Sequence, residues 1–176
     1  MKQYSLLFWL GLSSLFSPTF SYADVLIDVT ATIFDPPCNI RSENSTSPLS
    51  VNFGALDTGS VGKAEASQSF SLYITECNFT KTLGVELNPK GVSSLPYQGK
   101  NILATTTEGL GIDLQETTGG TSRPLEIGKN QRIYPERLDD NQYRMDILAQ
   151  LVNTIPTAEL KKGKFSSTVT MAITYF

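Results

Sequence analysis

"GKFSSTVTMAITYF", residues 163–176, closes the sequence and decides its fold class. Phe165, Val169, Met171, Ile173 and Tyr175 share one face, with Ser167 as the polar exception, while Ser166, Thr168, Thr170 and Thr174 share the other. A two-residue period rich in β-branched side chains marks a strand with one buried face. Such a strand needs a neighbour, because N–H and C=O groups beside a core must find partners. No later strand is expected on this sequence to provide one.

The same period recurs upstream. "VLIDVTATI" sets Val25, Ile27, Val29, Ala31 and Ile33 on one face, before Pro36-Pro37 limits regular pairing next to Cys38. Residues 49–54, "LSVNFG", read as a short strand ending at a glycine. "SFSLYITEC" points Phe70, Leu72 and Ile74 one way and ends on Cys77. Leu83, Val85 and Leu87 continue the pattern, and Asn88-Pro89-Lys90-Gly91 is expected to stop it as a turn. Leu110, Ile112 and Leu114 share a strand face; residues 117–121 read as a turn, and residues 124–127 as a short strand or edge segment. "RLDDNQYRMDILAQLVN" supports two readings. Tyr143, Met145, Ile147, Ala149 and Leu151 alternate as in a strand, whereas Leu, Met, Ala and Gln are good helix formers. Short strands at this spacing predict an all-β sandwich in one domain.

Residues 1–23 have the layout of a secretory signal peptide: Lys2, an apolar stretch from Leu6 to Leu15, and small residues at Ser21 and Ala23. The stretch is too short for a bilayer core of about 30 Å, so no transmembrane segment is expected after cleavage. The 176-residue chain carries 14 Lys and Arg against 17 Asp and Glu, a net charge of −3 that gives no basic footprint for nucleic acid. Its two cysteines, Cys38 and Cys77, both follow the signal segment, and in an exported chain they predict one disulfide. There is no histidine, which removes histidine-based triads, acid–base pairs and metal sites. The carboxylate pairs Asp139-Asp140 and Asp113 with Glu116 read as solvated surface acids, so neither an enzyme, a metal nor a cofactor is expected. Tyrosines 73, 97, 134 and 143 are the remaining candidates for a carbohydrate-binding module, with core or ordinary surface roles as the alternative.

The chain thus has an apolar strand too many at its start and one too few at its end. Two arrangements reconcile them: the first strand folds back beside the last, or it enters the next molecule by β-strand addition, a recognition mode already known for pilins. Val25, Ile27, Val29 and Ile33 would contribute roughly 6–12 kcal/mol if fully buried.

The sequence resembles subunits of chaperone-usher pili, especially minor pilins and tip adaptors of P-type fimbriae. The similarity runs through "DVTATIFDPPCNI", "VNFGAL", "GLGIDLQETTGGTSRPLEIG" and, most sharply, the ending, with its penultimate Tyr175 and Gly163 fourteen places from the end. The resemblance implies an incomplete immunoglobulin-like sandwich lacking its last strand and completed by a donor strand. It implies a donor extension at residues 24–35 carrying Val25, Ile27, Val29, Ala31 and Ile33, with Ala31 where the family commonly has glycine. A pilin domain follows at residues 36–176, with a Cys38–Cys77 disulfide. Gly163, Phe165, Val169, Met171, Ile173 and Tyr175 would form the acceptor groove and chaperone-recognition row. The implied partners are a periplasmic chaperone, an outer-membrane usher and neighbouring pilus subunits, with passage through the periplasm into an extracellular fimbrium. The expected role is a structural minor subunit or adaptor; a terminating or anchoring subunit, or a stand-alone carbohydrate-binding sandwich, is the alternative.

Overall fold

The computed structural model describes residues 37–43 and 48–176. The expected signal peptide and donor segment lie outside them. All elements below belong to the compact unit Phe34–Phe176.

Eleven strands are present among the described residues: β1 Asn39–Ser42, β2 Ser67–Thr75, β3 Leu83–Lys90, β4 Ser94–Tyr97, β5 Lys100–Ala104, β6 Leu110–Glu116, β7 Arg123–Leu125, β8 Asn130–Arg132, β9 Glu136–Arg137, β10 Gln142–Asn153 and β11 Thr168–Tyr175. They form two antiparallel sheets. The larger runs β1-β2-β10-β6-β5-β4, with β7 beside β6 and β9 beside β10; the smaller runs β11-β3-β8. Between them lies a core of alternate side chains, including Leu72 and Ile74 of β2, Val85 and Leu87 of β3, Leu114 of β6, and Met145 and Ile147 of β10.

The ambiguous segment is a strand. β10 pairs with β2 from Gln142↔Thr75 to Gln150↔Ser67 and with β6 from Ile147↔Glu116 to Asn153↔Leu110. Met145, Ile147, Ala149 and Leu151 are no more than 3% exposed. Two flanking ladders outweigh the helix propensity of its residues, because propensity yields to tertiary packing.

Three expectations are corrected. Residues 49–54 form no ladder among the described residues: Val51 and Phe53 turn inward, but the Gly54 N–H is taken at 2.8 Å by the Asn52 side chain. Asn88-Pro89-Lys90 is not the turn, since β3 continues to Lys90 opposite Thr168. There β8 has ended, having paired only Gly84 to Glu86, and an imino residue is tolerated where a strand has a neighbour on one side. Asp113 and Glu116 are not solvated; they are 4% and 0% exposed. The Asp113 carboxylate accepts from Lys100 Nζ at 2.7 and 2.9 Å and from Gln115 Nε2 at 3.0 Å. Glu116 accepts the Tyr134 N–H at 2.7 Å and has Arg123 Nη1 at 4.0 Å. Burial raises the Glu116 carboxyl above its ordinary value, only partly opposed by that N–H and by Arg123.

Cys38 and Cys77 form a disulfide with Cα atoms 4.6 Å apart, closing a separation of 39 residues. In the chain-entropy model this stabilises the fold by about 4 kcal/mol. It joins the start of β1 to the loop just after β2.

Candidate functional site

Among the described residues β11 is an edge strand. Its ladder runs from Thr168↔Lys90 to Tyr175↔Leu83, all on β3. Its inward row, Val169, Met171, Ile173 and Tyr175, packs on the core yet stays only half-buried. The opposing residues Leu83, Val85 and Leu87 on β3 are 5% exposed or less. The core is closed over β3 and unfinished over β11.

Across from β11 lies the first described stretch of the chain, and the two touch at both ends. At one pole the Tyr175 hydroxyl accepts the Asn78 N–H at 2.9 Å. It also lies 3.4 Å from Cys38 Sγ, a disulfide sulfur without a proton to give. At the other pole the rings of Phe53 and Phe165 meet with centroids 6.3 Å apart, tilted by 47°. Yet β1 belongs to the larger sheet and β11 to the smaller, and no ladder joins them among the described residues. Ile40 and Phe53 from the first stretch and Val169, Met171 and Ile173 from β11 all pack on the same core and stay half-buried.

Local chemistry fixes β11. Gly163, at the bend before it, has φ +147°, a conformation that L side chains rarely adopt. Ser167, the polar exception of the row, donates its hydroxyl to the Ala104 C=O at 2.6 Å. The neighbouring Ser166 C=O accepts the Thr106 N–H at 2.9 Å. These contacts tie the approach to β11 onto the end of β5. At the far end Gly84 of β3 makes room for the C-terminus: a Cβ there would lie 2.2 Å from Phe176 Cε2 and 2.8 Å from the Asn130 and Thr174 side chains.

Of the residues expected in the acceptor row, Val169, Met171, Ile173 and Tyr175 come together on the main core, Phe165 packs instead on the smaller cluster of Ala66, Leu110, Leu151 and Leu160, and Gly163 shapes the bend before it. The expected donor residues Val25, Ile27, Val29, Ala31 and Ile33 lie outside the described residues. Nothing in the sequence marks the Tyr175 hydroxyl as a tie to the disulfide pole. Among the described residues no cluster of three or more Cys, Asp or Glu is arranged to hold a metal ion. No helix among them is long and apolar enough to cross a membrane.

The family model for fimbrial proteins matches residues 27–175. The chain belongs to the fimbrial protein family. A search of curated proteins finds no match. Among solved structures the pilin is similar to the P pilus rod subunit PapA, with 20% identity over 80% of this chain and 99% of that one, TM-score 0.56. It is similar to a chaperone-usher pilus structure concerned with rod uncoiling, with 18% identity, 91% and 100% coverage, and TM-score 0.57. The P pilus adaptor subunit PapF matches at 19% identity, 82% and 100% coverage, and TM-score 0.53. At these identities the likeness identifies the fold, the open immunoglobulin-like sandwich of a pilin. The pilin is a structural component of a fimbrium.

Proposed function

We propose that this pilin is a minor subunit or adaptor of an adhesive pilus, captured by a periplasmic chaperone, handed over at an outer-membrane usher and polymerised by donor-strand exchange. On this reading residues 1–23 are removed on export, residues 24–35 enter a neighbouring subunit, and residues 36–176 form the domain that receives a strand. The route leads through the periplasm to an extracellular fimbrium. Val25, Ile27, Val29, Ala31 and Ile33 are the donor row. Phe165, Val169, Met171, Ile173 and Tyr175 are the receiving row, and Gly163 sets its approach.

The observation that carries this reading is β11, whose apolar row is half-buried and whose ladder, among the described residues, lies on β3 alone. Its dimensions support the reading. At about 3.3 Å per residue the stretch from Phe165 to Tyr175 spans about 33 Å if fully extended, and the row from Val25 to Ile33 about 26 Å. Completing the burial of Val169, Met171 and Ile173 would add on the order of 1 kcal/mol each, and a strand entering beside β11 also pairs its open backbone edge.

Expression of the mature chain alone in an oxidising compartment is expected to give aggregated or degraded protein. A matching chaperone, or residues 24–35 fused after Phe176, is expected to yield a soluble folded domain. A stable monomer without either supplement rejects the reading. Ile27→Asp with Val29→Asp is expected to spare chaperone capture and block incorporation into fibres; normal incorporation removes the donor role.

A further inference from the structure

We propose that a second copy of this chain sets its lysine segment, Lys161, Lys162 and Lys164, against a polar cleft at the disulfide pole, and that this contact outside the groove selects the following subunit. The inference rests on the strand-addition reading above.

The cleft is lined by Arg41, Glu76, Arg137, Asp139 and Tyr143, beside the Cys77 end of β2. Arg137 pairs with Asp140, and Arg41 donates to the Gln142 side chain at 3.2 Å. Glu76 and Asp139 are exposed and have no ion pair among the described residues. Glu76 is held at φ 61°, a conformation uncommon for its type. At the opposite pole, just ahead of Phe165, Lys161, Lys162 and Lys164 are all exposed and likewise make no ion pair among the described residues.

Chain length brings these two poles together. Six residue steps separate Ile33 from Asn39 at the rim of the cleft, a reach of about 20 Å at most. A subunit whose groove holds residues 25–33 therefore lies close to the cleft. A strand antiparallel to β11 places Ile33 at the Phe165 end of the acceptor, beside its lysines. A parallel strand would instead press two disulfide poles together, each with its own departing segment. The result is a head-to-tail contact, Glu76 and Asp139 of one copy against the lysines of the next, and such a contact propagates as an open filament. Exposed ion pairs add little affinity; their effect is on encounter rate and choice of partner.

The test uses purified complexes of the full mature chain with its periplasmic chaperone, following oligomer formation on native gels in low salt and in about 1 M salt, where the screening length is about 3 Å. Glu76→Lys with Asp139→Lys, and separately Lys161→Glu with Lys162→Glu and Lys164→Glu, are each expected to slow oligomer formation about fivefold or more in low salt and little in high salt. Combining both sets restores the rate. The neutral pair Glu76→Gln and Asp139→Asn gives a smaller loss of the same sign, independent of any misfolding by the reversed variants. A free peptide of residues 24–36 displaces the chaperone from every variant at the wild-type rate, because it lacks the cleft. Failure of the wild-type complexes to form oligomers while the peptide enters the groove, unchanged oligomer formation in the reversed variants, absence of rescue in the combined variant, or an equal loss in the peptide reaction overturns the proposal. Failure of the peptide to enter even the wild-type groove rejects strand addition itself, and this proposal with it.

Discussion

Phe165→Ala tests whether the approach to β11 and the stretch around Phe53 hold each other. A buried Phe→Ala change costs about 3–5 kcal/mol, and Phe165 is half-buried, so about 2 kcal/mol is expected from lost burial. Its ring also meets Phe53 at 6.3 Å, and aromatic pairs contribute about 0.5–1.5 kcal/mol beyond their area. The sum, about 3 kcal/mol, lowers Tm by roughly 6–12 °C for a domain of this size. The assay is urea denaturation of the donor-fused domain carrying Phe53→Ala, Phe165→Ala, both, or neither. The double-mutant cycle should return a coupling of about 0.5–1.5 kcal/mol. Phe79, stacked on Tyr143 with centroids 4.0 Å apart at the other pole, serves as control; Phe79→Ala should add to Phe165→Ala within about 0.5 kcal/mol. A Phe53–Phe165 coupling of zero would show that the two segments are fixed independently and that the ring contact does not join them.

Glu116→Gln should stabilise the domain more at pH 7.5 than at pH 4. Burial raises the carboxyl in the folded state, so the wild type is most stable below the unfolded value of about 4.3 and loses stability as pH rises through the raised one, whereas glutamine has no proton to lose. Paired thermal melts across that range check it; a Tm difference independent of pH contradicts it. Lys100→Met leaves the nearly buried Asp113 carboxylate without its ion partner and should cost about 3 kcal/mol by urea denaturation, with part of the loss recovered by adding Asp113→Leu. Gly163→Val should destabilise by about 1–3 kcal/mol although its surroundings are open, because its φ of +147° excludes a branched side chain. Ile173→Asp places a charge in the receiving row and should abolish recovery of the chaperone complex while leaving the Cys38–Cys77 disulfide formed, read by co-purification and thiol titration.

Period-two alternation made most strands legible: β2, β3, β6 and β11 follow from which side chains face the core. It could not decide β10 alone, since the same residues suit a helix and the two ladders that settle the choice come from β2 and β6, far away in sequence. Residues 49–54 show the opposite failure, for their pattern is that of a strand but a ladder needs a partner. Asp113 and Glu116 were misread because an acidic side chain is ordinarily solvated, and the cations beside them, Lys100 and Arg123, lie on other strands. The β11 side of the site could be read from its row of apolar residues. The hydroxyl of Tyr175 could not, because its partners Asn78 and Cys38 are 97 and 137 residues away.

The disulfide at the foot of β1 also decides how the molecule bears tension. A pull applied upstream of Pro37 meets Cys38 before it reaches the four-residue ladder of β1, which on its own would peel one bond at a time. The covalent link diverts that force to Cys77, next to a nine-residue strand held on both sides by β1 and β10. Stretching a fibre built from such subunits therefore loads β2, inside the larger sheet, and reducing this one bond should lower the rupture force of a single subunit far more than it lowers its melting temperature.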